Sequence, residues 1–168
     1  MRDTFQYIIV LLIVVILQVS FFSRLPAADY GPDLFLVVVF SAGFLNGIRK
    51  GSLVGLAAGL IQDVLLGGGL GVYTISRIII GATAGKIRGN FYPHNLPLLA
   101  GVIFVFSVLH EILIFLLSES VIFSVGFGVL VLEKIIPIAL YTMLVGTLLY
   151  LLINYLQIGG GVQYEEEN

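Results

Sequence analysis

The sequence predicts an all-α fold: a polytopic membrane helical bundle of about six transmembrane helices held together by small-xxx-small packing. Three observations predict it. Hydrophobic residues make up 59% of the 168 and charged residues 11%, under half of the roughly 25% charged share of soluble domains. The apolar residues fall into six segments, Phe5–Phe22, Asp33–Gly47, Ser52–Leu66, Gly71–Gly85, Leu96–Leu117 and Ile135–Leu156. Glycine recurs at every fourth position, as Gly43, Gly47, Gly51, Gly55 and Gly59, and again as Gly81, Gly85 and Gly89. In lipid, where apolar side chains gain little by leaving their surroundings, such residues let helix backbones approach and pack.

The first segment follows Met1-Arg2-Asp3 and, at about 18 residues, exceeds the 7–15 of a signal-peptide core. It reads as an uncleaved membrane helix, with Gln18 near its end placed for a contact to another helix. Pro32-Asp33 opens the second segment; the Asp33 carboxylate suits a helix start, where it can accept free N–H groups and oppose the dipole. Gly67-Gly68-Gly69-Leu70-Gly71 separates the third and fourth segments as a flexible turn. Segments two to four run to roughly 15 residues, about 22 Å at 1.5 Å per residue. They cross a locally thinned bilayer, or part of Ser52–Gly85 is re-entrant; both readings stand. The fifth and sixth reach the ~20 residues a spanning helix needs. Pro137 falls in the first turn of the sixth, where a missing N–H costs nothing.

The whole chain, 1–168, is one integral membrane domain, ending in a short tail over 157–168. The positive-inside rule orients it. Arg2, Arg49, Lys50, Lys86 and Arg88 fall on one side of six crossings, against Arg24, Lys134 and the nearby Arg77 on the other. Both termini are therefore expected in the cytoplasm. Arg49-Lys50 is expected to interrupt the first glycine run.

Four ionisable residues stand inside apolar segments: Asp63, Arg77, His110 and Glu111. Each charge near a bilayer centre costs about 2.5–3.5 kcal/mol on insertion scales, so each asks for a reason. Asp63 continues the Gly55, Gly59 spacing, and Arg77 precedes Gly81 and Gly85 by the same interval. They flank the glycine turn and are expected to form an intramembrane ion pair that locks the hairpin, or else to belong to a solute or proton site. His110 and Glu111, about 100° apart on a helix, are expected to contact another helix or a partner protein; a proton relay is the other reading.

Several classes are excluded or unsupported. A formal charge of −2 is no nucleic-acid-seeking surface. Without cysteine there is no disulfide and no thiol chemistry. His94 and His110 lack metal-ligand spacing. There is no phosphate-binding loop, nucleophile elbow or zinc-protease helix. No catalytic, cofactor-binding or metal-binding residue is expected, and no cofactor.

The order of these signals resembles a family. Gln18-Val19-Ser20 and Phe21-Phe22-Ser23-Arg24-Leu25-Pro26 end the first helix, and Gly31-Pro32-Asp33-Leu34 opens the second. Gly51-Ser52-Leu53-Val54-Gly55-Leu56-Ala57-Ala58-Gly59-Leu60-Ile61-Gln62-Asp63 follows, then Gly71 and Gly81. Together they resemble MreD, the rod shape-determining membrane protein of bacteria. The resemblance implies a non-enzymatic, multi-pass component of the cytoplasmic membrane that serves lateral peptidoglycan synthesis. Its implied partners are MreC, and with it MreB, RodA and a class B penicillin-binding protein. The alternative is a solute-binding subunit of an energy-coupling-factor vitamin transporter, a group of similar general fold, with Tyr30, Tyr73, Asp63 and Arg77 toward its outer side.

Overall fold

The computed structural model describes residues 2–20, 31–66, 71–88, 96–117, 128 and 131–158. Among them the regular structure is helical throughout: α1 (Arg2–Ser20), α2 (Leu34–Asn46), α3 (Ile48–Leu66), α4 (Val72–Lys86), α5 (Leu96–Leu117) and α6 (Ile136–Ile158). Among the described residues two helical stretches are long and apolar enough to cross a membrane, Leu96–Leu117 and Val131–Leu156.

α2 is apolar on every side, and such a helix belongs in the interior. Leu36 to Phe40 are wholly buried. The other five helices surround it. Phe40 stacks on Phe44 at 5.3 Å and meets Phe106 of α5 edge-on at 5.1 Å. Tyr150 of α6 closes the cluster, 6.1 Å from each of Phe40 and Phe44. Edge and offset contacts of this kind add about 0.5–1.5 kcal/mol per pair beyond the area they bury.

The register between helices fixes their directions. Asp33, Val37 and Phe40 of α2 lie beside Thr142, Gly146 and Tyr150 of α6, so the two run parallel. Asp33 and Gly43 of α2 likewise meet Arg77 and Gly81 of α4. α1, α3 and α5 run the opposite way: Tyr7 reaches Asn46, Gly51 faces Gly81 while Gly59 faces Thr74, and Phe106 faces Phe40. Direction therefore alternates from each helix to the next.

α3 and α4 are joined by the contact the glycine spacing predicts. A Cβ on Gly55 would lie 2.8 Å from the Arg77 carbonyl carbon, and one on Gly59 would lie 2.8 Å from the Thr74 nitrogen. Gly51 and Gly81 each face the other's carbonyl oxygen, while Gly43 packs on Gly81 and Gly85 on Ile48. Gly47 departs from the expected packing role. It sits at φ +90°, ending α2, and α3 restarts at Ile48. The interruption expected at Arg49-Lys50 thus falls two residues earlier, at Gly47, because only a glycine readily takes that backbone turn. α3 gains a full turn over the expected segment and reaches 19 residues, about 28 Å.

Pro137 lies in the first turn of α6, as expected, and a π-helical turn over Val131–Ile135 leads into it. Proline leaves the carbonyl four residues back without its usual donor, and a widened turn is a common accommodation. The expected glycine turn at 67–70, His94, Gly89 and the tail beyond Ile158 lie outside the described residues.

Much of the outer surface is aliphatic. On α3, Leu53 and Val64 are 64% and 74% exposed, and on α6 Leu148 is 70% exposed. Unpartnered apolar area on this scale marks contact with lipid or with another protein.

Candidate functional site

Polar side chains gather at one end of the bundle, around Asp33. Pro32 precedes it and the backbone there is non-helical, which lets Asp33 cap α2: its Oδ1 accepts the Leu36 N–H at 2.9 Å. The same carboxylate takes Arg77 of α4, whose Nη2 donates to Oδ1 at 2.9 Å and to Oδ2 at 2.8 Å. His110 of α5 brings Nε2 to 3.2 Å from Oδ2, an ion-pair distance without hydrogen-bond alignment. The Asp33 N–H donates to Thr142 Oγ1 of α6 at 2.9 Å.

The neighbouring contacts bring in the remaining helices. Gln18 of α1 donates to the Pro32 carbonyl at 3.1 Å and accepts from the Leu34 N–H. Gln62 of α3 accepts from Arg77 Nε at 2.7 Å and also from Nη2. The Phe35 ring lies 5.4 Å from the guanidinium carbon. Asp33, its chain neighbours Pro32 and Leu34, and Arg77 therefore tie all six helices together. Arg77 is fully buried and His110 nearly so; a buried charge of this kind persists only when paired and hydrogen-bonded. Among the described residues, Arg77 Nη1 and the two His110 ring nitrogens find no hydrogen-bond partner.

The expected Asp63–Arg77 ion pair does not form. Asp63 is on the predicted small face and is buried, but its two oxygens are occupied. They accept the N–H groups of Gly71, Tyr73 and Thr74 at 3.0, 3.0 and 3.1 Å, and the Thr74 hydroxyl at 2.5 Å. The first turn of a helix leaves four N–H groups unmet. Gly71 stands at the N-cap of α4 with φ +111° and has no side chain to meet them. Asp63 does so from the preceding helix and also opposes the α4 dipole. Arg77 lies deeper, at the level of Gly55, and turns to α2 instead.

Gln18 makes the interhelical contact expected of it, and His110 reaches another helix. Glu111 is only half-buried and joins none of these contacts. Sequence reasoning missed Gln62 and the pairing role of Asp33. The signal for Asp33 was its position: an acid opening a segment on the side where Arg77 ends. Among the described residues no group of three or more histidines and acids could hold a metal ion. The cluster has no nucleophile set against a base; its chemistry is charge pairing and helix capping.

A family model described as rod shape-determining protein MreD matches residues 1–157. The match spans nearly the whole chain, which belongs to that family. No curated protein and no solved structure matches. Family and apolar helices together mark a membrane protein with a role in determining rod shape.

Proposed function

Because the chain is a member of the MreD family, we propose that it is a non-enzymatic membrane scaffold of the machinery that builds the lateral cell wall. It crosses the bacterial cytoplasmic membrane six times, with both termini and the Arg49, Lys50, Lys86 and Arg88 end in the cytoplasm. Its direct partner is MreC, held through helix–helix contact within the bilayer, and MreB, RodA and a class B penicillin-binding protein belong to the same complex.

One observation carries this reading. The buried polar groups are directed inward, where they join six helices into one body, while the outer helix surfaces present aliphatic side chains. A body of that kind has lipid-facing surfaces to offer a partner's transmembrane helix. The partner contact itself rests on close packing, the main force available between helices in lipid.

The test is affinity purification of the tagged protein from native membranes in a gentle detergent, with its companions identified by mass spectrometry. Recovery of MreC, with or without the wall synthases, supports the scaffold. Recovery of a transporter's coupling subunit and paired ATPases would overturn it and turn the Asp33–Arg77–His110 cluster into a candidate ligand site.

A further inference from the structure

The end of the bundle opposite Asp33 carries a second charged group. Gly47 turns the chain sharply, so Arg49 and Lys50 fall in the first turn of α3. The close approach of Gly85 to Ile48 brings the last turn of α4, with Lys86, against the same corner. Arg88 follows, its Nη1 3.6 Å from where a Cβ on Gly47 would stand. Lys50 donates to Asn46 Oδ1 at 3.2 Å. Arg49, Lys86 and Arg88 are exposed, and none has an ion-pair partner among the described residues. The chain has no acidic residue between Asp33 and Asp63, or between Asp63 and Glu111.

Each of two cations heads an exposed apolar stripe. Below Arg49, at helical spacing, come Leu53, Leu56 and Leu60, all exposed; below Lys86 come Ile79 and Ile75. Positive charge at the rim with aliphatic side chains running away from it matches an amphiphile with an anionic head and an acyl tail. An acidic peptide or free phosphate would use the cations and leave the stripes unused.

We infer that Arg49, Lys86 and Arg88 form a site for the phosphate of an anionic membrane lipid, whose acyl chains lie along the Leu53–Leu60 and Ile75–Ile79 stripes. This rests on the membrane reading above.

The test is native mass spectrometry of the full-length protein in nonionic detergent, incubated with equal amounts of phosphatidylglycerol and phosphatidylcholine. The wild type retains phosphatidylglycerol at least tenfold over phosphatidylcholine. Arg49→Gln and Lys86→Gln each lower that preference about five-fold, the effect of one basic residue near an anionic surface. Arg88→Gln acts alike, and Lys134→Gln, at the other end, changes nothing. Unchanged helical circular dichroism shows that each variant is folded, as expected for exposed side chains. Equal retention of the two lipids, or a preference untouched by the three variants, overturns the site. So does full displacement of the lipid by glycerol 3-phosphate, which would make it a free-phosphate site. A preference that emerges only when Glu165, Glu166 and Glu167 are changed to Gln also overturns it, because the occupant would then be the chain's own acidic tail. Release of the protein from native membranes by alkaline carbonate would instead sink the membrane reading, whatever the lipid pattern.

Discussion

Arg77 on α4 and Asp33 at the head of α2 are joined by two hydrogen bonds of 2.9 and 2.8 Å across 44 positions of chain, with the guanidinium fully buried. The pair stands where helices from both halves of the chain meet. Its strength as a tie comes less from the attraction itself than from what either charge would cost alone in a low-dielectric interior.

Removing one partner should therefore harm the fold far more than removing both. Arg77→Gln or Asp33→Asn alone is expected to cost about 3–5 kcal/mol. The double variant should cost clearly less than the sum, because no lone charge is left buried. Thermal unfolding in detergent, read as a double-mutant cycle, checks this. Additive costs would show that the two side chains do not support each other.

A matching cycle on Asp63 and Arg77 should come out additive to within about 0.5 kcal/mol, as for sites with no shared partner. Asp63→Ala is expected to cost about 1–2 kcal/mol, as loss of a helix cap does. The damage should be local: faster hydrogen exchange at the Tyr73 and Thr74 amides, with α5 and α6 unchanged. Strong coupling between Asp63 and Arg77 would restore the direct pair that the spacing suggested.

The contrast between those two cycles shows what the sequence could and could not reveal. Asp63 and Arg77 are near each other in the chain, opposite in charge and on the predicted faces, so pairing them is natural. What the spacing could not weigh was the competing demand at the start of α4, where free N–H groups follow a glycine that cannot cap them. Nor could it show that α2 and α4 run side by side in parallel, which is what carries Arg77 to Asp33. The glycine faces were legible because a fourfold interval of small residues has one physical use between helices. Leu96–Leu117 was legible to the residue because its apolar run is long enough to carry His110 and Glu111 without losing its bounds. Gly47 was not: it shares the interval with its neighbours, and only its positive φ shows that it turns the chain instead of packing it.

The hydroxyl of Thr142 offers a finer measure of the hub. Its Oγ1 accepts the Asp33 N–H at 2.9 Å, a hydrogen bond that ties α6 to the cluster. Thr142→Val keeps the shape and removes the acceptor. It should cost about 1–3 kcal/mol, the range for leaving a buried donor unsatisfied. Thr142→Ser should recover most of that loss. Equal destabilisation by Val and Ser would assign the effect to packing of the methyl group, and the hydrogen bond would have no measurable part.

The glycines of the α3–α4 seam make the sharpest test of how the bundle is held. A Cβ on Gly55 or Gly59 would meet backbone atoms of Arg77 or Thr74, and backbone cannot move aside as the tip of a side chain can. Gly55→Ala and Gly59→Ala must therefore push α3 and α4 apart, at about 1–3 kcal/mol or more for each overpacked methyl group. Separation at that seam also draws Gln62 away from Arg77, so these variants should weaken the Asp33 hub although neither touches its hydrogen-bonding side chains. Gly101 on α5 is the control, because a Cβ there meets nothing within 4 Å. Gly101→Ala should be neutral or slightly stabilising, since alanine is the better helix former by about 1 kcal/mol. Thermal unfolding of the three variants in one detergent would separate the cases. Equal tolerance at all three positions would mean that the seam is loose and that the fourfold glycine interval does not hold these helices together.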